Sequence, residues 1–240
     1  MTLTLIDYVN GSLSLVFVII SVYIGIILIL KYKQYQEITL LYVGITWIIM
    51  CEPWWPHSVS FIVSLITGRG LDIRTFYFLA VTFIPIGLLT WLKASLEFMN
   101  VKKQKTILIL SAIIMGIFEI IFFIVLIINP AIIATMLTDV DAVNHIFILL
   151  YFLVILGIFL ITGILFAFNA MKTDLKKNKI KGRILLIAIL VYTLGGIIDG
   201  AFEMGIGFLV ASRIFLLLSS ILFYFGFILP KWLENILIRE

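Results

Sequence analysis

The chain has little of what water-soluble proteins carry on their surfaces. Only 12% of its 240 residues are charged, 63% are hydrophobic, and the mean hydropathy is +1.25. So much apolar surface cannot be hidden in a soluble core and requires lipid as its solvent. The single cysteine, Cys51, excludes an internal disulfide and a cysteine metal site. Composition therefore predicts an integral membrane protein.

Several functional motifs are also missing. His57 and His145 are the only histidines, too few for the converging ligands of a zinc hydrolase. We find no recognisable serine–histidine motif and no glycine-rich phosphate loop. The last apolar run, 207–229, contains no lysine, which a retinal Schiff base requires. We predict no enzymatic activity, no cofactor and no bound metal.

Apolar runs long enough to cross the hydrocarbon core as helices, about 20 residues each, recur along the chain. They predict an all-α membrane protein that forms one domain over residues 1–240. Pro53 and Pro56 interrupt the second run, so we expect a kink and a short continuation there. The seven predicted transmembrane helices lie near 12–31, 38–58, 75–98, 106–128, 145–170, 183–203 and 207–229.

Basic residues alternate with the spans and do not form a patch for nucleic acid. Fourteen of the 17 Lys and Arg residues fall on one side, which leaves Arg69, Arg74 and Arg213 toward the other. The positive-inside rule then predicts an outside N-terminus and a cytoplasmic C-terminus in the cell membrane. The basic stretch from Lys172 to Arg183 is the predicted contact for a cytoplasmic signalling partner or anionic lipid.

The segment after the last span, residues 230–240, is predicted to form a short helix in the inner membrane interface. An apolar face on one side and polar residues on the other favour this placement. The apolar face comprises Trp232, Leu233, Ile236 and Leu237.

Charged residues inside a membrane are costly, and those that face the bundle interior are functional candidates. At a rise of about 1.5 Å per residue, Glu52, Glu119, Asp199 and Arg213 all fall in the outer half of the membrane. Small residues share a helical stripe with Glu119, which predicts that it faces the bundle. The helical stripe that contains Glu119 also includes Ala112 and Gly116. We predict an outward-facing polar pocket whose ligand-binding residues are Glu52, Glu119, Tyr192, Asp199, Glu203 and Arg213.

The stretch CEPWWPHSVS, residues 51–60, combines two features. Trp54, Trp55 and His57 are typical of an aromatic belt at headgroup level, and Trp232 is the corresponding anchor near the C-terminus. A belt does not explain Glu52, and broken backbone at this depth is tolerated only beside protein or a watery cavity. Glu52 is therefore assigned to the pocket.

Three functions remain open. The leading hypothesis is a receptor or sensor that binds a small polar or cationic ligand and signals through a separate partner. The alternative is a proton-coupled transporter or carrier that uses the buried carboxylates. The third is a non-catalytic scaffold in which Arg213 pairs with Asp199 or Glu203 and a protonated Glu119 is hydrogen-bonded.

The segments TWIIMCEPWWPHSVSFI, residues 46–62, and FYFGFILPKW, residues 223–232, resemble a family of seven-helix membrane proteins from Asgard-type archaea. The resemblance covers the whole chain and implies the seven-helix fold. That family carries no established activity, so the resemblance implies no site residue. The architecture is also similar to the seven-helix sensor segments that precede histidine kinases. The oligomeric state stays open, because Gly116 and Gly157 suit contacts within or between protomers.

Overall fold

The structure, a computed structural model, describes residues 3–201 and 205–237. Helices form nearly all of this part of the chain, and their bounds follow the apolar runs closely. In chain order they are α1 Leu5–Tyr35, α2 Ile38–Met50, α3 Trp55–Thr67, α4 Ile73–Val81, α5 Ile84–Phe98, α6 Gln104–Ile128, α7 Ile146–Met171, α8 Lys176–Ala201, α9 Ile206–Phe227 and α10 Lys231–Leu237.

Seven helical stretches in the described residues are long and apolar enough to cross a membrane. Two of them are composite, since α2 and α3 make up the second and α4 and α5 the third. The other five are α1, α6, α7, α8 and α9. The predicted seven-helix, all-α architecture is therefore present, and α10 occupies part of the predicted segment 230–240.

The first helix begins at Leu5 rather than near residue 12. Thr4 forms a capping box with Asp7: the Thr4 hydroxyl accepts the Asp7 N–H, and the Asp7 carboxylate accepts the Thr4 N–H at 2.8 Å. Such a box satisfies backbone donors that a helix start leaves open. Hydropathy did not show this polar beginning, although it brings Asp7 and Asn10 into α1.

The interruption predicted at Pro53 and Pro56 is present as a 3₁₀ turn, Glu52–Trp54, between α2 and α3. A second interruption, which the sequence analysis did not predict, separates α4 from α5 at Thr82 and Phe83. Pro85 lies in the first turn of α5 and has no backbone N–H to continue the preceding helix. The two breaks face each other, because the Phe83 N–H donates to the Glu52 carboxylate at 2.8 Å.

A two-stranded antiparallel hairpin lies between α6 and α7 and was also not predicted. Its strands are β1 Ala134–Met136 and β2 Ala142–Asn144, with Thr135 opposite Val143. The Tyr77 hydroxyl donates to the Asn144 side chain at 2.7 Å, and Ser60 donates to the Asp139 carbonyl. These bonds fasten the hairpin onto α3 and α4. We call this end of the bundle the hairpin end.

The opposite end, which we call the lysine end, contains the turns 36–37, 99–103 and 172–175 together with α10. Part of the basic stretch predicted as a loop is helical, since α8 begins at Lys176 and includes Arg183. Lys177 pairs with Glu234 of α10 at 2.6 Å, and Lys181 donates to the Phe227 carbonyl at the end of α9 at 2.8 Å. The basic start of α8 therefore holds the C-terminal segment.

The helices differ in how closely they pack. α1 and α2 approach through Gly25 and Gly44, where an added Cβ on either glycine would lie 2.7 Å from the other's carbonyl oxygen. On α6, by contrast, only Met115, Phe122 and Leu126 are buried. Ala112 and Gly116 are exposed, and a Cβ at Gly116 would meet nothing within 4 Å. The prediction that these small residues mark a close helix contact within the bundle is wrong.

Candidate functional site

A buried ion pair joins α8 to α9. Arg213 is 1% exposed, and its Nη1 donates to Oδ1 of Asp199. The same carboxylate accepts the Ser212 hydroxyl at 3.2 Å and the Trp54 indole N–H at 2.7 Å. Three donors thus converge on one carboxylate. They offset the cost of removing its charge from water.

The other two nitrogens of Arg213 donate to α1. Nη2 bonds the Asn10 side-chain oxygen at 2.6 Å, and Nε bonds the Ser14 hydroxyl at 3.1 Å. Only the planar guanidinium offers this many donors in fixed directions, which a lysine could not replace. Asn10, Ser14, Trp54, Asp199, Ser212 and Arg213 form what we call the ion-pair cluster. It ties α1, α8, α9 and the 3₁₀ turn of the second span together.

A cavity of about 830 Å³ lies between this cluster and the β-hairpin. Asp199, Arg213 and Trp54 line it on one side, and Asp141 and Asn144 line it from the hairpin. Its volume is in the range of small-molecule sites, which are mostly apolar with a few placed polar groups. This cavity is the candidate ligand-binding site.

His57 connects the cavity wall to the hairpin. Its Nδ1 donates to the Val140 carbonyl at 2.8 Å, lies 3.7 Å from the Asp141 carboxylate, and is 3.4 Å from the Asn10 amide. Among the described residues, two carboxylates, Asp141 and Asp199, and one guanidinium, Arg213, line the cavity beside the His57 imidazole. The carboxylates exceed the guanidinium by one, which favours a cationic group on a bound molecule.

Aromatic and aliphatic side chains form most of the remaining lining. Trp54, Phe76 and Tyr192 are among the rings, and ring faces attract cations. Tyr192 is 3% exposed and its hydroxyl donates to the Met50 carbonyl at 2.7 Å, so its ring is held in place. The cavity therefore suits a molecule with an apolar body and one cationic or polar group.

Packed rings fill the bundle on the lysine-end side of the cavity. Trp47 stacks on Phe223 at 3.7 Å between centroids, and Trp47 also contacts Tyr192 at 5.6 Å. Phe223 lies 4.9 Å from Phe227, which lines a small pocket at the lysine end. A second row of contacts runs from Tyr192 through Phe159, Trp91 and Phe166 to Phe227. We call these rings the aromatic layer.

Three residues of the predicted ligand-binding set line the cavity together: Tyr192, Asp199 and Arg213. The predicted pairing of Arg213 with Asp199 is present. Glu203, the other predicted partner, lies outside the described residues. Tyr192 faces the bundle interior, as does Ala188 one turn before it on α8.

The predicted aromatic anchors fall in different environments. Trp54 is 5% exposed and bonded to Asp199, so it belongs to the bundle interior and not to an interfacial belt. Trp55 is half-buried, with its indole N–H directed to the Cys51 sulfur at 3.2 Å. Trp232 is 57% exposed on α10, and its position at a membrane interface stays a prediction.

Glu52 and Glu119 do not line the cavity. Oε1 of Glu52 accepts the Phe83 N–H, whereas its Oε2 and both carboxylate oxygens of Glu119 are buried without a hydrogen-bond partner among the described residues. The two carboxylates lie within electrostatic range of each other and of the Tyr151 hydroxyl, which is likewise unpartnered. The structure thus separates the predicted ligand-binding residues into one group that lines the cavity and another that does not.

Sequence reasoning missed Asn10, Ser14, His57, Asp141 and Asn144 as site residues. A signal for the first two was present, because Asp7, Asn10, Ser14 and Ser21 recur at helical spacing on one face. The first span was predicted to begin near residue 12, which left Asp7 and Asn10 outside it and hid that pattern. No comparable signal marked Asp141 or Asn144, since they reach the cavity only through the hairpin.

No protein-family model matches the chain, and comparison with curated proteins gives no match. The resemblance to Asgard-type archaeal membrane proteins therefore stays a prediction. Within residues 3–201 and 205–237, no group of three or more His, Cys, Asp or Glu side chains could hold a metal ion. The site is thus defined by its own geometry alone.

Proposed function

We propose that the chain is a multi-pass receptor or sensor of the cell membrane. The N-terminus and the hairpin end face outside, and the lysine end faces the cytoplasm. The one-sided distribution of lysine and arginine supports this orientation. The seven apolar helices support the membrane location.

The ligand is a small molecule with an apolar body and a cationic group, and it binds in the cavity at the hairpin end. The observation that carries this proposal is the excess carboxylate in a largely apolar cavity of about 830 Å³. Asp141 is the carboxylate that a cation would meet, because Asp199 is already bonded to three donors. Asp141 is also 30% exposed at its side chain, so its desolvation costs less.

The aromatic layer favours a receptor over a carrier. A transported molecule would have to pass Trp47, Trp91 and Phe223, which are at most 2% exposed. Polar groups on the lysine-end side are engaged with each other, as in Ser21 with Ser220 at 3.1 Å and Thr46 with Thr90 at 3.0 Å. Within the part of the chain that the structure describes, they offer no continuous polar path across the bundle.

The output goes to a separate cytoplasmic partner at the basic start of α8. Lys177 and Lys181 are engaged with α10 and the end of α9, so ligand-dependent movement of α8 or α9 would alter these contacts. The basic residues that remain exposed there offer a surface for an acidic partner or anionic lipid. They are Lys172, Lys176, Lys179 and Arg183.

The experiment that tests the ligand proposal is a thermal-stability screen of the purified protein with arylalkyl ammonium compounds. Each compound is paired with a neutral alcohol of the same shape. We expect saturable stabilisation by some ammonium compounds and weak or no effect of their neutral partners. Asp141→Asn should weaken the binding at least about tenfold, roughly the 1.4 kcal/mol of one charge-assisted contact.

Asp72→Asn is the matched control, since it also removes a carboxylate at the hairpin end. Asp72 caps α4 and does not line the cavity, and asparagine retains the capping function. Equal stabilisation by the ammonium and neutral members of every pair would refute a cation site. Flux of a stabilising compound into proteoliposomes would shift the assignment from receptor to carrier.

A further inference from the structure

A second group of polar side chains inside the bundle lies outside the cavity. It consists of Glu52, Glu119 and Tyr151, which we call the carboxylate cluster. Each residue comes from a different segment: the 3₁₀ turn of the second span, α6 and α7. Glu52 is 0% exposed and Tyr151 is 7% exposed. Four of their side-chain oxygens are buried with no hydrogen-bond partner in the part of the chain that the structure describes.

Packing places Tyr151 against α6, and both glutamates lie within electrostatic range of its hydroxyl. Tyr151 stacks on Phe118 with centroids 3.8 Å apart and an interplanar angle of 5°, and Phe118 directly precedes Glu119 on α6. Glu52 is anchored by the Phe83 N–H at the break between α4 and α5. The Tyr151 hydroxyl is buried and has no hydrogen-bond partner among the described residues, which is an observation independent of the two carboxylates.

Two buried carboxylates without a basic partner cannot both stay ionised at low cost. Among the described residues neither Glu52 nor Glu119 forms a salt bridge, in contrast to Asp199. The nearby titratable groups provide no cation: the Cys51 thiol donates to the Ile48 carbonyl, and Tyr192 donates to the Met50 carbonyl. The positive charge that neutralises the cluster must come from solution.

The bundle covers the carboxylate cluster least on the side of α6. Glu119 is only half-buried as a residue, and Gly116, one turn away, borders open space. At about 1.5 Å per residue, Glu119 lies roughly 13 Å from the α6 terminus at Ile128. We therefore expect a cation to reach the cluster from the α6 side of the bundle.

We propose that Glu52, Glu119 and Tyr151 form a buried site for one exchangeable monovalent cation, either a proton or Na⁺. The oxygen atoms of two carboxylates and a tyrosine hydroxyl suit both, since hard cations take oxygen ligands and a shared proton relieves carboxylate repulsion. The site is separate from the ligand cavity, although Met50 and Pro53 on either side of the Cys51–Glu52 pair line that cavity. It does not depend on the receptor proposal.

The test measures Na⁺ and proton binding by the purified full chain. Binding of radioactive Na⁺ is followed in potassium buffer of constant ionic strength, and infrared difference spectra report the C=O stretch of protonated carboxyl groups as pH changes. The variants are Glu119→Gln, Glu52→Gln and Tyr151→Phe. Glutamine at position 52 keeps an acceptor for the Phe83 N–H, and phenylalanine at 151 keeps the stacked ring, so folding is preserved. Glu97→Gln, at the lysine end of α5, is the matched control.

Saturable Na⁺ binding that acid suppresses, and that Glu119→Gln and Glu52→Gln abolish while Glu97→Gln retains it, supports Na⁺ as the occupant. A reversible carboxyl band without Na⁺ binding, lost in the same two variants, supports the proton. Tyr151→Phe should weaken Na⁺ binding or move the midpoint of the carboxyl band. Absence of both signals in the wild type, or their persistence in Glu119→Gln and Glu52→Gln, overturns the proposal.

Discussion

The ion-pair cluster and the carboxylate cluster both hold carboxylates inside the bundle, but they differ in how those charges are satisfied. Asp199 accepts bonds from Arg213, Ser212 and Trp54. Glu52 has one backbone donor and Glu119 has none among the described residues. A complete network stabilises a fixed geometry, whereas an incomplete one leaves room for a ligand or a proton. The first cluster is therefore expected to support the structure and the cavity, and the second to respond to ions.

The largest effect in this comparison is expected from Arg213→Ala. It removes the only basic partner that Asp199 has among the described residues and leaves the Asn10 and Ser14 acceptors open. Loss of one member of a buried pair typically costs about 3–5 kcal/mol. Unfolding in mixed micelles, with the free energy extrapolated to zero denaturant, measures it. A loss below about 1 kcal/mol would show that the cluster does not hold α1, α8 and α9 together.

Trp54→Phe measures how much the hydrogen bond from the Trp54 indole N–H contributes to the stability of the ion-pair cluster. Phenylalanine retains much of the ring contact with Phe17, which lies 5.0 Å from Trp54 between centroids, but cannot donate to Asp199. A hydrogen bond to a charged group contributes about 1.5–3 kcal/mol, and we expect a loss of that size. The same unfolding assay applies. Trp55→Phe serves as the control, because that indole reaches only the Cys51 sulfur and should cost less.

Glu119→Leu tests whether removing a carboxylate from the carboxylate cluster stabilises the protein, in contrast to the losses expected in the ion-pair cluster. Leucine removes two buried acceptors without partners and adds apolar surface, so the free energy of unfolding should rise by about 1–3 kcal/mol. The measurement is made in Na⁺-free buffer at alkaline pH, where the glutamate lacks a neutralising cation. Asp199→Leu under the same conditions should destabilise. Destabilisation by both substitutions would remove the distinction between the clusters.

The smallest effects on stability are expected from Tyr192→Phe and Tyr151→Phe, because the two hydroxyl groups differ in whether they form a hydrogen bond. Tyr192→Phe breaks the 2.7 Å bond to the Met50 carbonyl and should cost about 1 kcal/mol. Tyr151→Phe removes a hydroxyl without a partner and should stay within about 0.5 kcal/mol of wild type. Equal costs for the two substitutions would mean that Tyr151 also has an energetically important hydrogen bond.

Most of the fold could be predicted from the sequence, because long apolar runs have few alternatives to a membrane helix. The second-span break followed from Pro53 and Pro56. The break in the third span was not predicted, although Pro85 is visible in the sequence. The position of this break depends on the hydrogen bond from the Phe83 N–H to Glu52. The start of α1 was missed because Thr4 and Asp7 cap the helix with polar residues that hydropathy does not count.

The candidate site was predictable only in part. Asp199, Tyr192 and Arg213 share interior faces that helical periodicity identifies. Depth and periodicity also grouped Glu52 and Glu119 with them. These two rules, however, do not specify how one helix is rotated about its axis relative to its neighbours. Asp141 and Asn144 could not be placed at all, because a three-residue strand pair between two spans leaves too weak a pattern.

By itself, the sequence determined that the chain forms seven apolar helices, and it predicts the depths of the few charges, since the cost of burying polar groups in lipid acts locally on each segment. Tertiary structure decided which of those charges are paired. Arg213 reaches Asp199 rather than either glutamate because the packing of α8 against α9 and α1 places its donors there. The same packing leaves Glu52 and Glu119 without a basic partner among the described residues.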